Sequence, residues 1–220
     1  TASAPVWPVR AMITAAMTKK IKLGAGVVML PLRQDTVILA KQVATLDQFS
    51  NGRLLFVIGL GTNREEFERV RPRDTNINRG EMMDEQLEAL HMLLSHDKGE
   101  VSFKGKYVEF EKVSLHPKPV QKPLPIYSPG YNLSALRRVA RWGKGVMLPA
   151  ITVPKQLEGL KPLLEEYGRD LSEIDVMAEG QQRLAKTHEA AVEEFKKSRL
   201  GYKRRNVDTQ KFVAENWIGT

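Results

Sequence analysis

Short apolar runs alternate with helical stretches along most of the chain. Two such runs, Leu23–Leu30 and Leu54–Ile58, flank the helical stretch Thr36–Phe49. A strand, a helix and a second strand in this order form a βαβ unit, in which a right-handed crossover joins two parallel neighbouring strands. Because both runs are apolar at nearly every position, we expect both faces of the sheet to be covered, as in a parallel sheet wrapped by helices.

The same alternation continues downstream and yields five candidate parallel strands in all. These strands are Leu23–Met29, Leu54–Ile58, Ile126–Ser128, Gly145–Leu148 and Ile174–Ala178. The predicted helices are Val9–Thr18, Thr36–Phe49, Arg79–Ser95, Ser134–Trp142, Pro154–Tyr167 and Thr187–Leu200. Arg64–Ile77 is expected to be irregular, whereas Val101–Phe103 and Tyr107–Phe110 are expected to pair as an antiparallel hairpin. An open doubly wound sheet and a (β/α)8 barrel both fit this order of elements.

Composition narrows the class of protein. A chain of 220 residues can bury one sizeable core, and the absence of cysteine excludes disulfides and thiolate metal sites. Without a signal-peptide pattern or an apolar run long enough to span a bilayer, we expect a cytoplasmic protein with no membrane partner. Most of the net charge of +8 comes from Lys196–Lys211. We interpret that stretch as a solvated helix end and loop rather than a nucleic-acid site, because no pattern of interleaved aromatic residues supports base stacking.

Two turns that follow predicted strands are candidate anion sites. In the first, GLGTNR, Gly61 would let the backbone approach a ligand, and Thr62 and Asn63 supply short donors that suit a phosphate oxygen. It is only half of a dinucleotide fingerprint, and a tight strand-to-helix corner explains its glycines equally well. The second turn, SPGYNLS, enters a helix whose N-terminal N–H groups and dipole attract anions, although Ser134 also fits an ordinary N-cap.

No other motif assigns a catalytic or metal-binding residue. The four histidines, at positions 91, 96, 116 and 188, lack the spacing of metal ligands. Neither a G-x-S-x-G elbow nor a Walker loop occurs in the sequence. The sequence therefore predicts no metal and leaves the catalytic residue unassigned.

Four segments carry a resemblance to a known family. LGAGVVMLPLR, LAKQVATLDQFSNGRLLFVIGLGTNREEF, FKGKYVEFEKVSLHPKPVQKPLPIY and ALRRVARWGKGVMLP resemble, in this order, the bacterial luciferase-like flavin-dependent oxidoreductases. The resemblance implies an α/β fold of the TIM (β/α)8 barrel type. In comparison with the family pattern, strands 1, 2 and 8 are not in this chain. We expect residues 1–220 to form one partial barrel domain with a hairpin insertion near residues 99–124. A fragment, an incompletely recorded sequence and a reduced family member all remain open.

The resemblance also implies a flavin cofactor and a small-molecule substrate. Reduced FMN would activate O2 for monooxygenation of a small organic substrate. Alternatively, the deazaflavin coenzyme F420 would exchange hydride with a substrate, or a reduced barrel would bind flavin without turnover. A separate flavin reductase and a homodimer or higher oligomer are further expected partners.

The family's functional positions can be carried over to this sequence residue by residue. Arg79 matches an arginine that binds the cofactor phosphate, with Arg71, Arg73 and Asn78 as neighbouring alternatives. The expected cofactor-binding residues are Gly26, Val27, Gly61, Thr62, Asn63, Arg79, Gly130, Tyr131, Asn132 and Ser134. Gly26–Val27 matches a non-prolyl cis peptide that supports the flavin rings, whereas Tyr131 and Asn132 depart from the family's version of the second turn. The family's catalytic histidine or acid comes from a region that this sequence lacks.

Overall fold

The computed structural model describes residues 7–33, 35–61, 63–95, 99–179, 182–197 and 217–219. Seven helices occur in this part of the chain: α1 (Trp7–Met17), α2 (Thr36–Ser50), α3 (Arg64–Val70), α4 (Arg79–Ser95), α5 (Leu133–Trp142), α6 (Val153–Glu165) and α7 (His188–Lys197). The strands described there are β1 (Leu23–Met29), β2 (Leu54–Gly59), β3 (Val101–Lys104), β4 (Glu109–Val113), β5 (Ile126–Pro129), β6 (Gly145–Pro149), β7 (Asp175–Glu179), β8 (Gln182–Leu184) and β9 (Trp217–Gly219). None of the described helices is long and apolar enough to cross a membrane.

The main sheet contains five parallel strands in the order β1-β2-β5-β6-β7. The prediction of five adjacent parallel strands is therefore confirmed. The spatial order follows the chain order throughout, whereas a doubly wound sheet reverses its direction at a switch point. Right-handed crossovers taken repeatedly in one direction place the helices on one face, as in a (β/α) barrel.

Along each strand of the main sheet, side chains point alternately toward the helices and toward the opposite face of the sheet. On β1 and β2, the side chains that pack with α1, α2 and α4 are Leu23, Ala25, Val28, Leu54, Phe56 and Ile58. On β6, Val146 and Leu148 pack with α5 and α6 in a second cluster. Because successive side chains point to opposite faces, Gly24, Gly26 and Gly145 lie on the other face, which we call the inner face.

The TLDQFSNGR segment fastens α1 to the amino-terminal end of β2. The buried Arg53, 8% exposed, donates from Nε to the Ser50 carbonyl at 2.6 Å and from Nη2 to the Ala15 carbonyl at 2.9 Å. Its Nη1 donates to Thr18 Oγ1 at 2.9 Å and to the Ile21 carbonyl at 3.1 Å. One guanidinium thus joins the end of α2 to α1 and to the segment that precedes β1.

Asp47, in the same segment, is 0% exposed and fixes the connector that leads to β5. It accepts hydrogen bonds from the Gln121 backbone N–H at 2.9 Å and from the Gln121 side-chain amide at 2.7 Å. The same amide donates to the Leu54 carbonyl at 2.8 Å. The TLDQFSNGR segment, which carries part of the family resemblance, therefore has a structural role in this fold.

The expectation that residues 64–77 are irregular is wrong for the first half of that stretch, which forms α3. Asn63 caps this helix by accepting a hydrogen bond from the Glu65 N–H at 2.9 Å. An Arg64–Glu68 pair stabilises the exposed side, and Phe67 is 3% exposed on the other. A single buried apolar residue in seven is too little for a periodic pattern to reveal the helix.

The predicted hairpin is confirmed as β3 paired antiparallel with β4, and it is tied to α4 by one carboxylate. Glu85 accepts the backbone N–H groups of Lys106, Tyr107 and Val108 at 2.9, 2.6 and 2.5 Å. A Cβ on Gly105 would overlap the Glu85 carboxylate, so a side chain at the tip would displace that carboxylate. The hairpin is thereby held against the first half of α4.

The sequence did not predict the short strands β8 and β9. They pair in parallel with α7 between them and form a separate two-stranded sheet. The helix predicted over Thr187–Leu200 is present as α7, which ends at Lys197. The rest of the basic stretch, residues 198–211, lies outside the described residues.

Candidate functional site

The carboxyl-terminal ends of β1, β2 and β5 meet at one edge, because the three strands are parallel neighbours. The turn after β2 lies close to the end of β1 at Gly61, whose φ is +83°. A Cβ on Gly61 would come within 2.9 Å of Met29 Sδ. This glycine is therefore required both by backbone conformation and by the close approach of a neighbour.

Arg79, the first residue of α4, reaches the same turn. Its Nη1 donates to the Gly61 carbonyl at 3.3 Å, and its guanidinium lies 5.8 Å from the centre of the Phe67 ring. The side chain is half-buried. The bond to Gly61 uses one of the five N–H donors of the guanidinium, so the fork retains donors for an anion at this edge.

The alternatives to Arg79 are less suited to hold an anion. Arg71 is paired with Asp74, with 2.5 Å between Nε and Oδ2, and it donates to the Pro31 carbonyl at 3.1 Å. Asn78 Oδ1 caps α4 by accepting the Gly80 N–H at 3.0 Å. Arg73 is exposed on the loop that precedes α4. Arg79 is therefore the best-placed of the four candidate residues.

The turn between β5 and α5 is built around Gly130 and Asn132. Gly130 is buried, and a Cβ there would overlap Val146. Asn132 Oδ1 accepts the Ala135 N–H at 2.9 Å and is the N-cap of α5. The interpretation of Ser134 as N-cap is therefore wrong: Ser134 lies exposed in the first turn of the helix.

Arg138 joins the helix of this turn to the beginning of α4. Its Nη2 donates to the Gly80 carbonyl at 3.2 Å. Its Nε and Nη2 also donate hydrogen bonds to the two carboxylate oxygens of Asp84, at 2.6 and 3.1 Å. The backbone next to Arg79 is thus fixed to α5, which supports the expectation that Arg79 and the second turn belong to one site. The sequence gave no signal for Arg138, which is one arginine among several on its helix.

Of the two residues that were expected to donate to a phosphate in the first turn, Thr62 and Asn63, the structure describes the second. Thr62 lies outside the described residues. Asn63 is exposed and uses its side-chain oxygen to cap α3, so its side-chain amide is the group left to face a ligand. Among the expected cofactor-binding residues at this turn, the contact that the structure describes is that between Gly61 and Arg79.

The inner face of β1 offers a strip of bare backbone. The Gly26–Val27 peptide is cis, as expected from the family resemblance, and the pairing of β1 with β2 shifts register between Ala25 and Val28. Gly24 and Gly26 are exposed; a Cβ on Gly24 would have no atom within 4 Å, whereas a Cβ on Gly26 would overlap Val57 of the neighbouring strand. A strip without side chains is suited to support a planar ring system, so these residues fit a flavin or a deazaflavin.

Two tyrosines on β5 and its turn contact carboxylates on β7. Tyr127 donates to Asp175 Oδ2 at 2.7 Å, and Tyr131 donates to Glu179 Oε1. Burial raises the pKa of Tyr131 to about 12, with a further contribution from the hydrogen bond to Glu179. The pKa of Tyr127 is raised by burial and by Asp175. The sequence did not predict Glu179, because its partner lies on a distant segment.

Within the described residues, no group of three or more histidine, aspartate or glutamate side chains is arranged to hold a metal ion. His91 is exposed on α4, and His116 contacts Ser114 Oγ at 3.1 Å. His188 begins α7, and His96 lies outside the described residues.

Comparison with known proteins places these observations in a family. The model of the luciferase-like monooxygenase family matches residues 6–217. An FMNH2-dependent dimethylsulfone monooxygenase of Pseudomonas putida is 30% identical over 156 residues, which cover 69% of this chain and 40% of that protein. An F420-dependent glucose-6-phosphate dehydrogenase of Nakamurella multipartita is 25% identical over 169 residues, covering 74% and 49%.

A solved structure shows the same fold. The monooxygenase RslO1 from Streptomyces bottropensis superposes with a TM-score of 0.79 at 24% identity, covering 99% of this chain and 69% of its own. The matched part of the chain covers less than half the length of each of the two curated relatives from Pseudomonas and Nakamurella. Because the family model covers nearly the whole sequence and the strand order is that of a barrel, the chain belongs to the luciferase-like monooxygenase family.

Proposed function

We propose that this chain forms the greater part of the cofactor site of a flavin-dependent oxidoreductase, with FMN as cofactor and monooxygenation of a small organic substrate as the reaction. The observation that carries the proposal is Arg79, half-buried beside the Gly61 carbonyl at the carboxyl edge of the sheet. The bare strip at Gly24 and Gly26 lies on the same sheet and suits the ring system.

The residues of the chain would divide the binding of the cofactor between them. Arg79 would hold the phosphate through its guanidinium fork, and the N-terminal N–H groups of α5 would add a second anion contact. Gly24 and Gly26 would let the rings lie against β1 because neither residue carries a side chain. The bound reduced flavin supplies the redox chemistry, and the protein supplies orientation and exclusion of water.

Hydride transfer through coenzyme F420 is the second candidate function. It is favoured by the relative from Nakamurella multipartita, which is an F420-dependent dehydrogenase by name. A flavin-binding protein without turnover is the third. For the monooxygenase, we further propose a homodimer or higher oligomer and a separate reductase, because the Pseudomonas relative depends on reduced FMN.

Titration of the chain with FMN, and separately with F420, tests the anchor and the cofactor together. Replacing Arg79 with Ala removes a hydrogen bond to a charged group, for which the expected loss is about 1.5–3 kcal/mol, or roughly 10- to 150-fold in Kd. Arg73→Ala, an exposed arginine of the preceding loop, is the matched control and should leave Kd within about twofold.

The three candidate functions give different results. Tighter binding of FMN, together with O2 consumption that depends on reduced FMN and an added substrate, supports the monooxygenase. Preference for F420 supports hydride transfer, and binding of flavin without turnover supports the third function. Equal affinity of the parent and Arg79→Ala for both cofactors would show that the anchor is misplaced.

A further inference from the structure

Two tyrosine–carboxylate pairs span β6 on the inner face of the sheet. In the register of the strands, Tyr127 lies beside Gly145 and Gly145 beside Asp175. A Cβ on Gly145 would overlap the Tyr127 ring, so the ring crosses β6 directly over this glycine. Tyr131 crosses β6 in the same direction four residues later and donates to Glu179, which lies beside Pro149.

The two pairs differ in what surrounds them. In the lower pair, Tyr127 is 4% exposed, and the exposed Asp175 carboxylate also has a cationic neighbour, Lys144, whose Nζ lies 3.8 Å away. The upper pair is open at the carboxyl edge, where Tyr131 is 52% exposed and Glu179 is half-buried. Among the described residues, no cationic side chain forms a salt bridge with Glu179.

An apolar row lies between the pairs. Pro129, Met147 and Met177 are neighbours in register on β5, β6 and β7. They follow Tyr127, Gly145 and Asp175 by two residues on their respective strands. Because side chains alternate between the two faces of a sheet, all three lie on the inner face as well. All three are half-buried. A small ligand could thus pack its apolar body on this row and place a polar group at the upper pair.

The chemistry of the upper pair favours one kind of polar group. The Tyr131 hydroxyl donates to the Glu179 carboxylate, and that carboxylate has further lone pairs with which to accept. A carboxylate at this position would repel a phosphate, so Tyr131, which was expected to bind the cofactor, is better suited to a substrate group.

We propose that Tyr131 and Glu179 recognise a hydrogen-bond donor on the substrate, either a hydroxyl or a protonated amine, attached to an apolar body that packs on the Pro129–Met147–Met177 row. Glu179 accepts from the donor, and Tyr131 holds the carboxylate in position. The pair selects against substrates that end in a carboxylate. The assignment of a substrate to this face rests on the proposed function.

Three probes of one chain length test this selection: hexylammonium, hexan-1-ol and hexanoate. Their dissociation constants for the 220-residue chain are measured by saturation-transfer NMR, with and without FMN. We expect hexylammonium and hexan-1-ol to bind more tightly than hexanoate. Glu179→Gln, which keeps an acceptor for Tyr131 but removes the charge, should weaken hexylammonium binding about tenfold and hexan-1-ol binding less.

Two controls separate this pair from the rest of the site. Asp175→Asn alters the lower pair, whose carboxylate already has Lys144 as a neighbour, and should leave the order of the three probes unchanged. Tyr131→Phe should weaken hexylammonium and hexan-1-ol together, because the carboxylate loses the donor that orients it. Circular dichroism checks that each variant is folded.

Several results would overturn the proposal: no measurable binding of any probe, binding of hexanoate as tight as that of hexylammonium, or an unchanged hexylammonium Kd in Glu179→Gln. Failure of the proposed function has a different signature, since FMN would then not bind to the parent chain. The Glu179 and Tyr131 variants should bind FMN like the parent, whereas Arg79→Ala should not.

Discussion

Replacing Arg53 with Met should destabilise the fold strongly, because one guanidinium serves four acceptors on three segments. The variant keeps most of the apolar stem but removes the donors to the Ser50, Ala15 and Ile21 carbonyls and to Thr18 Oγ1. A single hydrogen bond to a charged group contributes about 1.5–3 kcal/mol, and the four bonds are not additive. Water can reach some of the freed acceptors near the exposed end of α1. We therefore expect a loss of about 3–5 kcal/mol in the free energy of unfolding.

Urea denaturation followed by tryptophan fluorescence measures this loss. Trp7 reports on the packing of α1 against the sheet, because its ring lies 6.0 Å from the Phe56 ring. Hydrogen exchange should show that α1 loses protection before the sheet does, since Arg53 is the residue that fastens it.

A matched substitution and a charge-preserving one sharpen the Arg53 test. Arg69→Met removes an exposed arginine paired only across one helical turn with Glu65, and should cost about 0.5 kcal/mol or less. Arg53→Lys should lie between the parent and Arg53→Met, because an ammonium cannot match the fork geometry. A loss below about 1 kcal/mol in Arg53→Met, or a loss equal to that of Arg69→Met, would refute the reasoning.

Two further predictions concern the upper pair and the hairpin. Because the pKa of Tyr131 is raised from 10.0 to about 12, the folded state favours the neutral phenol, so its contribution to stability is present below pH 10 and is lost as the pH rises toward 12. Absorbance at 295 nm should show earlier ionisation of this tyrosine in Glu179→Gln, and an unchanged titration curve would contradict the pairing. Gly105→Ala should displace the hairpin from Glu85 and speed proteolytic cleavage within residues 101–113, while Gly159→Ala, at which a Cβ would meet only Leu136 at an ordinary 3.6 Å, should not. Equal cleavage rates in both variants would show that Glu85 does not hold the hairpin.

The sequence predicted the strands because buried parallel strands are apolar at most positions. Apolar runs such as Leu54–Ile58 need no knowledge of distant contacts to be recognised. The helix α3 was missed because its formation depends on the Asn63 cap and on one buried residue, Phe67, rather than on a repeated pattern. The N-cap of α5 was assigned to Ser134 instead of Asn132 because both residue types cap helices well and the two positions are close together.

The candidate site was predictable only where strand order alone determines it. Gly61 and Arg79 are hydrogen-bonded because the end of β2 and the beginning of α4 lie at the same edge, and their binding of a cofactor stays a prediction. The pairing of Tyr131 with Glu179 depends on the register of β5, β6 and β7 over 48 residues of chain. No local pattern in a single sequence records such a register.

The two ends of the sheet have separable roles, and this separation can be tested. Arg53 and Asp47 are buried at the amino-terminal end and hold α1 and the β5 connector, whereas Arg79 and Glu179 lie partly open at the carboxyl edge. Arg53→Met should therefore lower the melting temperature by roughly 6–20 °C while leaving the Kd of FMN unchanged below the transition. Arg79→Ala should raise the Kd of FMN and leave the melting temperature nearly unchanged, because the 3.3 Å hydrogen bond from Arg79 to Gly61 contributes little to folding. If both variants lost stability and FMN affinity together, the cofactor site would be coupled to the whole fold rather than built on its edge.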